Sequence, residues 1–346
     1  MGAGRCLSGR RAARPAPAQA QEGGARSAAR GLRPARALRQ AISADRARGG
    51  RPAAGDSRPI GVFDSGVGGL TVLRAIQERL PLESTIYVGD LQHFPYGPRY
   101  QEEVKQFAFE IIRHLQQAQV KLIVIACNTA TAAALNQARE VFDVPLVGVI
   151  SPGAQAAVQA TRKGLVGVIS TEGTRLSQEY LHAIKELDPM VGVYQKACPE
   201  LVQIVEEGDA ESGRAEEALR RDLAPFVDLG ADVLVLGCTH YPLLRPAIQA
   251  VYPGAFALVD SAETTAAMVE RRLDHARMRA LPGTGQPVHE LRVTAVPRRF
   301  HEVGEILFGR PVPPVKEIRL DQSSRARDPT PGIIGGRDKA TPHPGA

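Results

Sequence analysis

The sequence predicts an α/β fold of two similar domains, each a mainly parallel sheet flanked by helices, with the active site in the cleft between them. Three observations carry that expectation. Short apolar runs alternate with helical segments along most of the 346 residues, the pattern that builds parallel sheets covered by helices. Two of the runs look like copies of one design, Leu122-Ile123-Val124-Ile125-Ala126-Cys127-Asn128-Thr129 and Val233-Leu234-Val235-Leu236-Gly237-Cys238-Thr239-His240. Each is apolar and short enough to be a strand buried on both faces, followed by one small residue, cysteine and polar side chains. The two cysteines lie 111 residues apart, enough for one α/β unit each. Both fall at the carboxyl edge of a strand, where open α/β sheets bind their ligands.

The elements follow in order from Pro59. A strand over 60–63 leads through Asp64-Ser65-Gly66-Val67-Gly68-Gly69 into a helix over 70–79. A second strand, 86–90, ends in the loop His93-Phe94-Pro95-Tyr96-Gly97. Residues 102–117 have helical periodicity, with Val104, Phe107, Ile111, Ile112 and Leu115 on one face. The first cysteine strand comes next, then an Ala-rich helix over 131–141 and a strand over 145–150. From residue 164 the pattern resumes with a strand over 165–170, a Thr171-Glu172-Gly173-Thr174 turn and a helix through 184. A strand over 191–196 and helices over 201–207 and 215–229 precede the second cysteine strand. A helix over 242–251, a strand over 257–259, a helix over 261–273, and a strand and short helix within 291–308 complete the body.

The flanks differ from this body. Residues 1–57 hold twelve Arg, no Lys and three acids, a local charge of +9 in a chain whose net charge is +6. The remainder therefore carries −3, and a nucleic-acid footprint on the folded body is not expected. Rich in Ala, Arg, Gly and Pro, the first 57 residues bury too little apolar surface to offset their ordering entropy and read as a disordered extension. An Arg-rich, acid-poor start resembles an organelle transit peptide, but without a clear amphipathic stretch a plain upstream extension is the better reading. Removing 1–57 is expected to leave folding and turnover unchanged. Residues 321–346 read as a disordered tail. No apolar run approaches the roughly 18 residues of a membrane span, and no secretory apolar region opens the chain. Cys6, Cys127, Cys198 and Cys238 are too scattered for a disulfide framework, which fits free thiols in a reducing compartment, the cytoplasm.

Chemistry centres on Cys127 and Cys238. A free thiol has a pKa near ~8.5, lowered at a helix N-terminus, and both are expected at such a terminus. Alone, either reads equally well as a small buried hydrophobe; the matched pair makes that less apt. Three schemes compete. A Cys–His acyl transferase needs a base poised on the thiol, and His240, two residues from Cys238, has a poor spacing for that. A zinc site from Cys127, Cys238 and His240 lacks the close ligand pairs usual in such sites. Two thiols facing one carbon from opposite sides, as acid and base, explain the duplication. The glycine loop fails both GxGxxG and GxxxxGK[ST], leaving a turn whose N–H groups can hold an anion, with Asp64 and Ser65 at its mouth. Either residue could instead merely cap the helix. Tyr96-Gly97 can close over a ligand, or be a packed turn. Asn128-Thr129 and Thr239-His240 put polar donors beside the two thiols, although capping alone would account for Asn128 and Thr239. Thr171 and Thr174 repeat that theme.

Phe63-Asp64-Ser65-Gly66-Val67-Gly68-Gly69-Leu70-Thr71, Phe94-Pro95-Tyr96-Gly97, Ala126-Cys127-Asn128-Thr129-Ala130 and Gly237-Cys238-Thr239-His240-Tyr241-Pro242-Leu243-Leu244 together resemble the glutamate racemases of the aspartate/glutamate racemase superfamily. The resemblance runs from residue 59 to about 310, and the segments at Thr171–Thr174 and, loosely, Cys198-Pro199-Glu200 fit it too. It implies cofactor-independent exchange of L- and D-glutamate, supplying D-glutamate for peptidoglycan, with no metal. Cys127 and Cys238 match the two catalytic cysteines, the first acting toward the D-isomer and the second toward the L-isomer. Asp64-Ser65, Tyr96-Gly97, Asn128-Thr129 and Thr239-His240 match the substrate-binding pairs, with Asp64 and His240 assisting the nearer thiol. It also implies a first domain of residues 58–150 plus 260–320, a second of 151–259, and a homodimer. Aspartate racemase is the nearest alternative, opposed by His240-Tyr241-Pro242 where that group carries an acid. A non-catalytic carboxylate-binding or regulatory protein is another, opposed by the paired thiols.

Overall fold

The computed structural model describes residues 55–283, 285–296 and 300–320. Of the segments expected to be disordered, 1–57 and 321–346, residues 1–54 and 321–346 lie outside the described residues, whereas residues 55–57 are described and the Asp56 N–H donates to the Arg279 carbonyl at 3.1 Å, so the expectation fails there. Strand β1 (Ile60–Asp64) is wholly buried because it lies between two parallel neighbours, β2 (Thr85–Gly89) and β3 (Leu122–Ile125). Ile60, Val62 and Phe63 expose no surface, and burying each such side chain contributes roughly 1.5–3 kcal/mol. With β4 (Leu146–Gly148), β9 (His289–Val293) and β10 (Val315–Glu317), these strands form a six-stranded parallel sheet of order β10-β9-β2-β1-β3-β4. A second parallel sheet has the order β6-β5-β7-β8, from β5 (Leu165–Ser170), β6 (Gly192–Ala197), β7 (Val233–Gly237) and β8 (Ala257–Asp260). Its order repeats that of β2-β1-β3-β4, so the sequence repeat is a repeat of topology, with β3 and β7 as equivalents.

Helices cover the sheets as the periodicity predicts. α1 (Leu70–Arg79) follows the glycine turn, and α2 (Gln101–Gln117) buries Val104, Phe107, Ile111, Ile112 and Leu115 in one cluster with Phe63, Ile86, Ile123 and Ile125. α3 (Asn128–Val141) starts three residues earlier than expected, directly after Cys127. The strand predicted over 145–150 stops at Gly148, and Ile150 instead opens α4 (Ile150–Ala160), which carries the chain to the second sheet. Pro152 suits the first turn of a helix, where no N–H partner is needed, and the alanines after it favour helix. The helix predicted through 184 breaks at Gln178, which is left-handed at φ 59°, into α5 (Glu172–Ser177) and α6 (Glu179–Leu187).

α7 (Glu200–Glu206) and α8 (Gly213–Asp228) precede β7. The predicted helix over 242–251 is a 3-10 turn (Tyr241–Leu244) followed by α9 (Arg245–Val251). Pro246 has no N–H to donate back to the preceding turn, and the change from 3-10 to α geometry falls beside it. α10 (Ser261–Ala276) returns the chain to the first sheet, where α11 (Phe300–Phe308) and the unexpected edge strand β10 complete it.

The start of the body is tied down by a buried ammonium. Lys121 Nζ donates to the carbonyls of Asp56 (2.6 Å) and Met278 (2.7 Å) and pairs with Glu83 at 2.5 Å. Among the described residues no helix is long and apolar enough to cross a membrane.

Candidate active site

Strand order decides which residues meet. β1 and β3 are neighbours although β2 lies between them in sequence, and the register pairs Phe63 with Ile125. Asp64-Ser65 and Ala126-Cys127 therefore leave the sheet side by side at the point where the strand order reverses, the usual ligand position of such sheets. The second sheet repeats this: Ser170 pairs with Gly237, so Thr171 and Cys238 emerge together. Both edges open on one cavity of about 660 Å³. Of the ten residues singled out from sequence, nine line it: Ser65, Tyr96, Gly97, Cys127, Asn128, Thr129, Cys238, Thr239 and His240. Asp64 does not.

Asp64 stands behind the wall instead of at the mouth. It is fully buried, and its Oδ2 accepts the Gly66 N–H at 3.1 Å. Burial raises its pKa, opposed by His240 and by the backbone N–H groups of Gly66, Gly69 and Ser65. The amides of Ser65, Gly66 and Gly69 are thus turned to this carboxylate. Nor does Asp64 cap α1, whose N-cap residue, Gly69, has no side chain to do so. The turn's glycines serve close approach: a Cβ on Gly68 would strike Thr239 Oγ1 and the His240 ring of the opposite sheet.

Cys127 is the N-cap of α3, and its Sγ accepts the Ala130 N–H at 3.4 Å while the thiol donates to Ser65 Oγ at 3.7 Å. The expected lowering of its pKa is overturned. Burial and the nearby Asp64 outweigh those hydrogen bonds and push the thiol up to about 12, because an apolar site disfavours the charged form. Cys127 is therefore held as a thiol.

Cys238 is not at an α-helix N-terminus, since only the 3-10 turn follows it. It has a different companion. His240 Nδ1 lies 3.7 Å from Cys238 Sγ, and His240 Nε2 lies 3.2 Å from Glu206 Oε1. The spacing argument against a contact between His240 and Cys238 fails because the chain turns back at Thr239, with His240 already in a helical conformation (φ −83°, ψ −32°). Burial opposes charge on His240, but hydrogen bonds and charges from Cys238 and Glu206 prevail and push it up to about 10. Glu206, with Val202 and Gln203, also lines the cavity, and sequence reasoning missed all three. Helix α7 was expected, but nothing in its composition shows which face meets the cavity.

Polar side chains directly follow the first thiol. Asn128 Oδ1 accepts from the Tyr180 hydroxyl at 2.8 Å, whereas its buried Nδ2 has no partner. Thr129 Oγ1 meets Thr171 Oγ1 at 2.9 Å and Thr174 Oγ1 at 3.3 Å, linking the two sheets. The Tyr96 hydroxyl donates to Asp90 at 2.6 Å, and Tyr96 is among the residues lining the cavity.

One topology used twice, with a thiol at the same place in each copy, is the architecture of an isomerase of amino acids, a racemase. The chain belongs to the Asp/Glu/Hydantoin racemase family, whose family model matches residues 60–269. It is 42% identical over 266 residues to glutamate racemase of Bacillus cereus, covering 77% of this chain and 98% of that one. With glutamate racemase of Geobacter metallireducens it is 44% identical over 264 residues, 76% of this chain and 97% of that one. Among solved structures, glutamate racemase isoform RacE1 of Bacillus anthracis superposes with a TM-score of 0.73 at 40% identity, over 77% of this chain and 98% of that one. The Francisella tularensis glutamate racemase in complex with D-glutamate gives 0.72 at 33% identity, over 77% and 99%.

Proposed function

We propose that this chain interconverts L- and D-glutamate by a cofactor-independent 1,1-proton transfer between Cys127 and Cys238, supplying D-glutamate for peptidoglycan. The carrying observation is that two thiols at equivalent strand ends face one cavity in unlike surroundings. Cys127 is held protonated, while Cys238 lies beside an imidazole whose cationic form is favoured. Starting from L-glutamate, the Cys238 thiolate, stabilised by charged His240, takes the α-proton. Cys127 then gives its proton to the opposite face of the same carbon. D-glutamate leaves with Cys238 protonated and Cys127 as thiolate, and the reverse passage restores the first state.

The α-proton is a very weak acid, so the charge that spreads into the carboxylate must meet fixed donors in a dry site. Asn128 Nδ2, buried without a partner, and the hydroxyls of Thr129 and Thr239 serve that need. Ser65 contacts the substrate, the Tyr96–Gly97 segment forms its wall, and Asp64 acts from behind Cys127, repelling negative charge on that sulfur until a proton is due. In this reading residues 58–150 plus 260–320 form one domain and 151–259 the other, closing on substrate, and the enzyme works as a homodimer in the cytoplasm.

Glutamate is favoured over aspartate by the similarity to glutamate racemases and by His240-Tyr241-Pro242. Circular dichroism on L-glutamate and L-aspartate, with no cofactor added, tests this. Decay of the L-glutamate signal to zero is expected, with one deuterium entering the α-position in D2O. A preference for aspartate would move the assignment to the sister activity. Binding of glutamate with no loss of rotation would indicate a non-catalytic carboxylate-binding protein.

A further inference from the structure

Asp90, directly after β2, is fully buried, and the proposed proton transfer makes no use of it. Its two oxygens gather three side chains. The Tyr96 hydroxyl donates to Oδ2 at 2.6 Å, Thr294 Oγ1 donates to Oδ1 at 2.8 Å, and His93 Nδ1 lies 2.9 Å from Oδ2. Hydrogen bonds to a buried carboxylate are among the stronger ones, and each holds its donor in a fixed direction.

Thr294 has no place in the sequence motifs. It follows β9, on the part of the chain that has already visited the second sheet, and it is 7% exposed. Its N–H continues the strand ladder to the Gly89 carbonyl at 3.1 Å. Its hydroxyl makes no bond within its own strand. It donates to Asp90 and accepts the Gln92 N–H at 2.9 Å, so both of its functions go to the loop that carries Tyr96. The other end of that loop meets α5, where the Gly97 carbonyl accepts the Gly173 N–H at 2.9 Å. Between these anchors Tyr96 and Gly97 line the cavity.

We infer that Thr294 is a positioning residue for the racemisation: through Asp90 it fixes the Tyr96–Gly97 segment as a wall of the substrate cavity. The inference rests on the function proposed above. It separates Tyr96 from a direct hydrogen-bonding role, since the phenol is committed to Asp90, and it gives a cavity-shaping task to a residue that does not line the cavity.

Thr294→Val keeps the side-chain shape and removes the hydroxyl. Assayed on L-glutamate well below its melting temperature, this variant is expected to lose about tenfold in kcat/KM, the size of one lost buried hydrogen bond, mainly as a raised KM. Thr294→Ser, which keeps the hydroxyl, should restore it. Tyr96→Phe removes the phenol donor, and adding it to Thr294→Val should cost little more, because both act through Asp90. Wild-type kcat/KM in Thr294→Val, no rescue by Thr294→Ser, or losses that multiply in the double variant would each overturn the inference. Should Thr294→Val fail to fold, Tyr96→Phe carries the test alone, and an unchanged kcat/KM there overturns it. A wild-type protein that leaves the rotation of L-glutamate unchanged overturns the proposed function, and this inference with it. An active wild type with an indifferent Thr294→Val overturns the inference alone.

Discussion

Replacing Glu206 by Gln removes a charge from the outer side of the His240 ring and keeps an oxygen there to accept its N–H. The two groups are 3.2 Å apart, with side-chain exposures of 3% for His240 and 30% for Glu206. At an effective dielectric of about 20, unit charges at that distance attract by roughly 5 kcal/mol. Water at the partly open carboxylate screens most of this, leaving on the order of 1–2 kcal/mol, or about one pKa unit. The His240 pKa, raised to about 10, should fall by that amount, and Cys238 should lose part of the cation that stabilises its thiolate.

The sign for stability follows from the raised pKa. Charged His240 favours the folded state fully below its unfolded value, near ~6.5, and this contribution disappears as pH rises through about 10. The variant should have a smaller contribution and lose the last of it at lower pH. An NMR titration of the His240 imidazole, identified by its absence in His240→Asn, reads the pKa directly, and thermal melting from pH 6 to 10 reads the linkage. Activity should fall about tenfold at pH 8. If the imidazole titrates identically in Glu206→Gln and wild type, Glu206 does not set the charge of His240, and the account of the Cys238 side is wrong.

Cys127→Ala or Cys238→Ala should abolish racemisation in both directions while the fold persists, and a single variant with near wild-type turnover both ways would end the two-thiol reading. With its pKa at about 12, Cys127 should resist alkylation by iodoacetamide at pH 8, and Asp64→Asn should speed the reaction by removing a repelling charge. Peptide mapping that finds Cys127 equally reactive in both proteins would refute the role of Asp64. Truncation at the body's start needs a finer cut than the sequence suggests. Deleting residues 1–54 should leave melting unchanged, whereas deleting 1–57 removes the Asp56 carbonyl that buried Lys121 uses. The longer deletion should cost about 1–3 kcal/mol and lower the melting temperature by a few degrees, and equal melting of the two would show the contact to be idle.

The strands and the two cysteines were legible because burial leaves a direct trace in sequence. A strand covered on both faces must be apolar throughout, so 122–125 and 233–237 announce themselves, and a thiol followed by polar residues marks where each run reaches the ligand edge. The periodicity of α2 exposed its buried face for the same reason. Breaks at Gln178 and Pro246, and the start of α4 at Ile150, were harder, since they depend on one or two residues whose helical pattern continues on either side.

What sequence alone determined was the repeat, the positions of Cys127 and Cys238, and nine of the residues that line the cavity. Tertiary structure decided how those groups act. Only strand order places Ser65 beside Cys127 and Thr171 beside Cys238, and only the packing of α7 brings Glu206 to His240. Proton affinity belongs to that level too. Burial beside Asp64 raises Cys127 where the helix N-terminus predicted a lowering, because desolvation and fields from groups distant in sequence outweigh what the local chain supplies.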